Sequence, residues 1–215
     1  MSPFKQRSPG RVEAFSDGVL AIVITLLVLE IKIPHLQDVR SGHEAWESLR
    51  LLIPKFSSFV LSFAYVAVFW VNQHHFFDLI VEVSPGLVWL NNLLLLFLCF
   101  VPFPTGFIGE YPSNPVALAL FAVILMGAGL VFTIMWPYAY HHGLMNASVR
   151  NEVVKGVVWR GMLGPPLYAI AAIGAFVAPW WSWVVFGSVL VFFFRHSMQI
   201  PLSAEHRERE RLMEP

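Results

Sequence analysis

A single cysteine, Cys99, occurs in 215 residues, so the chain closes no disulfide of its own and carries no cysteine cluster for a metal. Charge is scarce as well: Asp, Glu, Lys and Arg make up 13% of the chain, where soluble domains average about 25%. The 14 basic and 14 acidic residues cancel, which removes both a basic excess for nucleic acid and an acidic solvating tail. Between Phe56 and Val149 there is no Lys or Arg at all. Several chemistries are missing too. No G-x-S-x-G elbow, H-E-x-x-H zinc helix or phosphate loop is present, and no internal repeat or low-complexity tract. What fills the chain is apolar: 57% of its residues are hydrophobic, which excludes an ordinary soluble or disordered protein and makes this a membrane protein.

A hydrocarbon core of about 30 Å takes about 20 apolar residues in a helix. That ruler predicts six helices in a transmembrane domain over residues 1–201, at about 14–33, 56–77, 87–108, 116–138, 161–178 and 181–198, with a charged cytoplasmic tail at 202–215. Pro179 divides the last two, and Glu205 and Arg209 of the tail stand at i,i+4 on a solvated helix or frayed end. The first stretch follows Lys5, Arg7 and Arg11 like a signal peptide, but its length, Asp17, Glu30 and the lack of a small-residue cleavage site predict a retained helix. Basic residues collect at the amino terminus, at Arg150, Lys155 and Arg160, and at Arg195, Arg207, Arg209 and Arg211. With six spans these lie on one side, so both termini are expected in the cytoplasm. Trp89, Trp136, Trp159 and Trp180 stand near expected ends, where indoles favour the interface.

An ionisable side chain near the bilayer centre costs about 2.5 to 3.5 kcal/mol on insertion scales, so each one inside a span needs a reason. The first such place is Arg11, Ser16 and Asp17 at the mouth of the first helix. Positions six apart differ by about 240° on a helix, so Arg11 and Asp17 do not share a face. Glu13 and Asp17, at i,i+4, repel, and a cation is expected nearby; otherwise Ser16 and Asp17 simply satisfy free donors of a first turn. The second place is Trp70, Asn72, Gln73, His74 and His75, echoed by His141-His142. Adjacent histidines diverge by about 100°, which disfavours a shared metal and favours interfacial hydrogen bonding. Glu30 and Lys32 can snorkel to water at the far end.

Ile22, Thr25, Leu26 and Leu29 fall at i, i+3, i+4 and i+7 and form one stripe, in which the Thr25 hydroxyl is expected to bond the Ala21 carbonyl. By spacing alone the stripe is packing, lipid contact or something more particular. Ala171, Gly174, Ala175 and Ala178 allow close helix contact. Residues 105–110 vaguely echo a potassium selectivity filter, but the glycine order and Pro102 and Pro104 exclude a carbonyl filter there.

The segment Arg11-Val-Glu-Ala-Phe15-Ser16-Asp17 resembles the R-x-x-x-F-S-D signature that opens the first helix of the transmembrane protein 175 family, potassium channels of lysosomes and bacteria. Trp70 to His75 is similar to the family's histidine-containing motif in the second helix. The resemblance is concentrated in residues 11–33 and 65–77 and implies an all-α integral membrane fold of six helices per subunit, assembled as a homotetramer around a pore lined by first helices. It implies a potassium-permeable cation channel that is not an enzyme. No cofactor or bound metal is implied beyond the permeant potassium ion, and the only partners are copies of the chain and membrane lipid, not nucleic acid. The family's hydrophobic constriction falls on Ile22, followed by Thr25, Leu26 and Leu29. Arg11, Phe15, Ser16, Asp17, Trp70, Asn72, His74 and His75 become a structural network supporting that helix, with the histidines a source of pH sensitivity. A ring of such apolar side chains dewets when narrow and blocks ions without a plug. The expected location is a bacterial inner membrane.

The main rival is a proton- or ion-coupled secondary transporter with Asp17, Glu30 and the histidines as relay. It requires a charged site at mid-membrane and interrupted helices, whereas Asp17 and Glu30 stand near opposite ends of an unbroken first span. An intramembrane enzyme would need a convergent catalytic constellation, and none is legible.

Overall fold

The computed structural model describes residues 8–32, 34, 38 and 41–197, with helix side chains described as far as Arg195. The tail at 202–215 lies outside the described residues. Helix α1 (Gly10–Leu27) runs into a 3-10 turn (Val28–Glu30), followed by α2 (Gly42–Leu51), α3 (Ile53–Asp78), α4 (Pro85–Phe100) and α5 (Pro102–Glu110). Then come α6 (Pro115–His141), α7 (Asn151–Gly161), α8 (Gly164–Gly174) and α9 (Pro179–Ser197). The described residues form no strand; one isolated antiparallel bridge pairs Ile80 with Met145.

Local chemistry sets the helix starts. Asn114 Oδ1 accepts the Val116 and Ala117 amides at 2.9 and 3.2 Å, and Ser84 Oγ accepts the Leu87 amide at 3.3 Å. A proline follows each cap, where the missing N–H is no loss. Ser41 caps α2 in the same way, and Glu44 three residues on accepts the Asp38 amide at 2.9 Å.

Four segments are long and apolar enough to cross a bilayer: Gly10–Glu30, Ile53–Asp78, Pro85–Glu110 and Pro115–His141. The protein is therefore an integral membrane protein. The expected third span divides at Val101, because Pro102 has no amide to give and the Val101 amide turns to the Leu98 carbonyl at 3.1 Å. In place of a continuous helix at 161–178 stands α8, whose 11 residues rise only roughly 16 Å. Pro165 and Pro166 confine its start, and the chain turns at 175–178 before α9. Two amphipathic helices, α2 and α7, occupy segments that a search for long apolar runs passes over.

Helix α6 is the most enclosed, with half of its apolar window buried against α4, α5, α7 and α8. Trp136, five residues before the end of α6, lies in this core at 1% exposure. Its ring meets Phe76 edge-on at 5.3 Å, and among the described residues its indole N–H finds no acceptor. Ala171 and Ala175 are buried where α8 meets its neighbours. A Cβ on Gly161 would collide with Thr133 Oγ1, so the junction of α7 and α8 rests directly on α6.

The elements share two ends. At one, the α3–α4 and α6–α7 loops exchange backbone bonds, Val81 N–H to Leu144 O and Asn146 N–H to Leu79 O, both 2.9 Å, and Ser84 Oγ stands 3.3 Å from the Tyr138 hydroxyl. The start of α1 meets the end of α3 here, and Arg160 and Phe193 border a common cavity. At the opposite end Lys55 Nζ pairs with Glu110 Oε2 at 2.5 Å, and the Trp183 indole donates to Pro112 O at 3.0 Å.

Candidate ion pathway and its tether

Helix α1 has two faces of different character. Ser16, Leu20, Val23 and Leu27, at i, i+4, i+7 and i+11, are buried against α3, α4 and α5. Phe15, Ile22, Thr25, Leu26 and Leu29 lie on the exposed side, with Ile22 60% and Leu29 67% accessible. The protomer thus leaves a ridge of aliphatic side chains, interrupted by one hydroxyl, without cover from its own helices. Thr25 Oγ1 donates to the Ile22 carbonyl at 2.8 Å, three residues back rather than the expected four at Ala21. Threonine reaches either carbonyl through a different χ1 rotamer, so spacing alone does not choose between them.

The buried face is tethered by a chain of polar groups. Ser16 Oγ donates to Val12 O at 2.8 Å and accepts from Asn91 Nδ2 at 2.9 Å. Asn91 Oδ1 in turn accepts from Gln73 Nε2 at 2.5 Å. All three side chains are buried, so α1, α3 and α4 are joined by hydrogen bonds that water does not compete for. A net bond of this type is worth about 0.5–1.5 kcal/mol, whereas leaving one partner alone in the interior costs about 1–3 kcal/mol. The tether therefore matters most through what its loss would expose.

A second layer lies outside the first. Asp17 Oδ1 accepts the Trp70 indole N–H at 2.9 Å, and His74 Nδ1 meets Glu13 Oε1 at 3.1 Å. The Trp70 and His74 rings stack with centroids 6.1 Å apart and planes 21° from parallel. Each acid on α1 thus has its own partner on α3, and the partner of Asp17 is a neutral donor instead of the cation that repulsion from Glu13 demands. Asn72 Nδ2 turns back to Val68 O of its own helix at 2.7 Å, and His75 Nδ1 stands 3.9 Å from Asp78 Oδ2. Arg11 is exposed and has no hydrogen bond or ion pair among the described residues. His142, from the second histidine pair, stacks on Tyr138 with centroids 4.1 Å apart.

The structure joins Asp17, Trp70 and His74 in one cluster, ties Ser16 to Asn91 and Gln73 instead, and leaves Arg11, Phe15, Asn72 and His75 outside these contacts. Sequence reasoning did not single out Asn91, the hub of the buried chain. Its signal was available: an amide amid the leucines of an apolar span needs a partner as surely as a charge does. Glu13, His74 and Asp78 each place a ligand atom within 4.8 Å of the others, which makes them the candidates for a metal. The two acids, however, approach opposite ring nitrogens, Glu13 at Nδ1 and Asp78 at Nε2, the latter 4.0 Å away.

Comparison with known proteins sets this arrangement in a family. The family model described as endosomal/lysosomal potassium channel TMEM175 matches residues 11–102, the part that holds α1, α3, α4 and the whole tether. A potassium channel of Chamaesiphon minutus is 38% identical over 182 residues, covering 83% of this chain and 89% of that protein. A potassium channel of Streptomyces collinus is 32% identical over 197 residues, covering 89% and 94%. The fold is similar to the crystal structure of a lysosomal potassium-selective channel TMEM175 homolog from Chamaesiphon minutus, with a TM-score of 0.75 and 36% identity over 88% of this chain and 97% of that one. These relatives are ion channels and not enzymes, and the chain belongs to the TMEM175 family.

Proposed function

We propose that this protein is one subunit of a homotetrameric, potassium-permeable cation channel whose wall is the exposed ridge of α1. Four copies of Ile22, with Thr25, Leu26 and Leu29 beyond it, face a common axis and form an apolar constriction that does the work of a carbonyl filter. One observation carries this reading: α1 is tethered along its buried face through Ser16 while its most apolar ridge is turned away from every helix of its own protomer. Bilayer lipid can cover such a ridge, as it covers the exposed Ile173 and Val177; copies of the chain around an axis cover it equally well, and the likeness to channel structures favours the axis. The naming of the bacterial relatives as potassium channels supports the permeant ion.

In this reading the narrow ring excludes water and blocks ions when closed. Opening tilts or rotates α1 so that the ring widens or the Thr25 hydroxyls reach the ion. Selectivity comes from diameter and partial dehydration and favours potassium over sodium modestly. The Asp17–Trp70 and Glu13–His74 contacts hold the base of the moving helix without freezing it. Arg11, Arg150, Lys155, Arg160 and Arg195 belong to the end of the bundle that faces the cytoplasm of a bacterial inner membrane, with both termini there. Helices α7 and α8 together make the fifth pass and α9 the sixth. No cofactor takes part.

The rival transporter requires an ionisable site at mid-membrane, whereas in the span Gly10–Glu30 the ionisable groups are Arg11, Glu13 and Asp17 toward one end and Glu30 at the other. Purified protein in potassium-loaded liposomes tests the proposal: potassium efflux with step currents in planar bilayers, smaller sodium currents and exclusion of large organic cations are expected. Stoichiometric exchange without unitary steps would instead establish the carrier.

A further inference from the structure

A cavity of about 90 Å³ opens between α3, α6, α7, α8 and α9, on the side of the protomer away from the α1 ridge. Its walls are mostly aliphatic and aromatic, including Val68, Phe132, Val157 and Phe193. Among the polar side chains that line it, the Tyr65 hydroxyl donates to Phe186 O, Thr133 Oγ1 to Gly129 O and Asn72 Nδ2 to Val68 O, each at 2.7 Å. A mostly apolar space of this size with few free polar partners does not hold water well. At its border stands Arg160, exposed and with no hydrogen-bond or ion-pair partner among the described residues. Arg160 ends α7, an amphipathic helix that also carries Lys155 and the exposed Trp159, and its long side chain can reach toward the headgroup layer.

We propose that this cavity is a binding site for an anionic phospholipid of the surrounding bilayer, with the phosphate held by Arg160 and a stretch of one acyl chain lodged between α6 and α8. Charge complementarity selects the occupant. The mostly apolar interior accepts methylenes, while the rim offers one unpaired guanidinium whose fork matches two phosphate oxygens and which repels the choline cation of a zwitterionic lipid. Basic pockets between membrane helices at the headgroup level are suited to acidic lipids. A bound lipid would brace α7 and α8 against α6 at the point where Gly161 already touches Thr133. The proposal does not depend on the permeation reading.

Native mass spectrometry of the full chain, released from detergent with a mixture of phosphatidylglycerol and phosphatidylcholine, tests it. The wild type is expected to retain phosphatidylglycerol in roughly tenfold preference, Arg160→Gln to lose that preference, and Arg160→Lys to keep part of it. Gly129 lines the cavity, and a Cβ there meets nothing within 4 Å, so Gly129→Leu fills the space without displacing the backbone. That variant is expected to lose bound lipid while keeping Arg160. Equal retention of the two lipids by the wild type would overturn the proposal. So would undiminished binding in Gly129→Leu, or displacement of the lipid by millimolar inorganic phosphate alone, since either leaves the chain pocket without a role.

Discussion

Leu20 and Ile22 stand two residues apart on α1 and point opposite ways, Leu20 at 1% exposure into the bundle and Ile22 at 60% away from it. Two aliphatic neighbours of similar size therefore answer to different demands, one to packing and the other to whatever lies beyond the protomer.

The same polar substitution separates them. Ile22→Asn is expected to raise resting potassium flux on the order of tenfold with little change in thermal stability, because a wetted ring no longer blocks ions. Leu20→Asn buries an amide without a partner and is expected to lose about 1–3 kcal/mol of stability. Liposome flux and unfolding in detergent, measured on both variants, check the pair. Unchanged flux in Ile22→Asn would remove the constriction from the mechanism.

Asn91 joins Ser16 to Gln73, so its removal strands a donor and an acceptor in the interior. Asn91→Leu is expected to destabilise by about 1–3 kcal/mol, read as a lower unfolding temperature in detergent. Asn92, its half-buried neighbour, serves as the control, and Asn92→Leu is expected to leave that temperature nearly unchanged. Equal effects at the two positions would show that the chain of amides contributes nothing special.

Trp70→Phe deletes the donor to Asp17 but keeps an aromatic face for His74. One net hydrogen bond is worth about 0.5–1.5 kcal/mol, so the ratio of open to closed channels should move by at most about tenfold. Single-channel open probability measures it. A shift in that probability with a near-native unfolding temperature is the expected result.

Much of this fold was legible because bilayer thickness is a strong constraint. The four long helices follow from runs of apolar length, and the ridge on α1 follows from a period of 3.6 residues. The rest was hidden for definite reasons. Helices α2 and α7 have polar faces that dilute a hydropathy window, and α8 is shortened by prolines whose effect depends on the neighbours that hold it. Trp136 stands near the end of α6 as expected, but its burial beside Phe76 depends on packing that the sequence pattern does not contain. In the tether, Ser16, Asp17, Trp70 and His74 were marked by being polar within apolar helices, and Asn91 obeyed the same rule without a charge to draw notice. Which acid meets which partner depends on the angle between α1 and α3, and no one-dimensional pattern contains that angle.

The carboxylate of Glu30 lies against the α-carbon of Gly106, so that even a methyl group at that glycine would overlap it. Two positions far apart in the chain therefore compete for one volume. An alanine at 106 obliges the flexible carboxylate arm of Glu30 to swing aside, and a shorter side chain at 30 removes that demand.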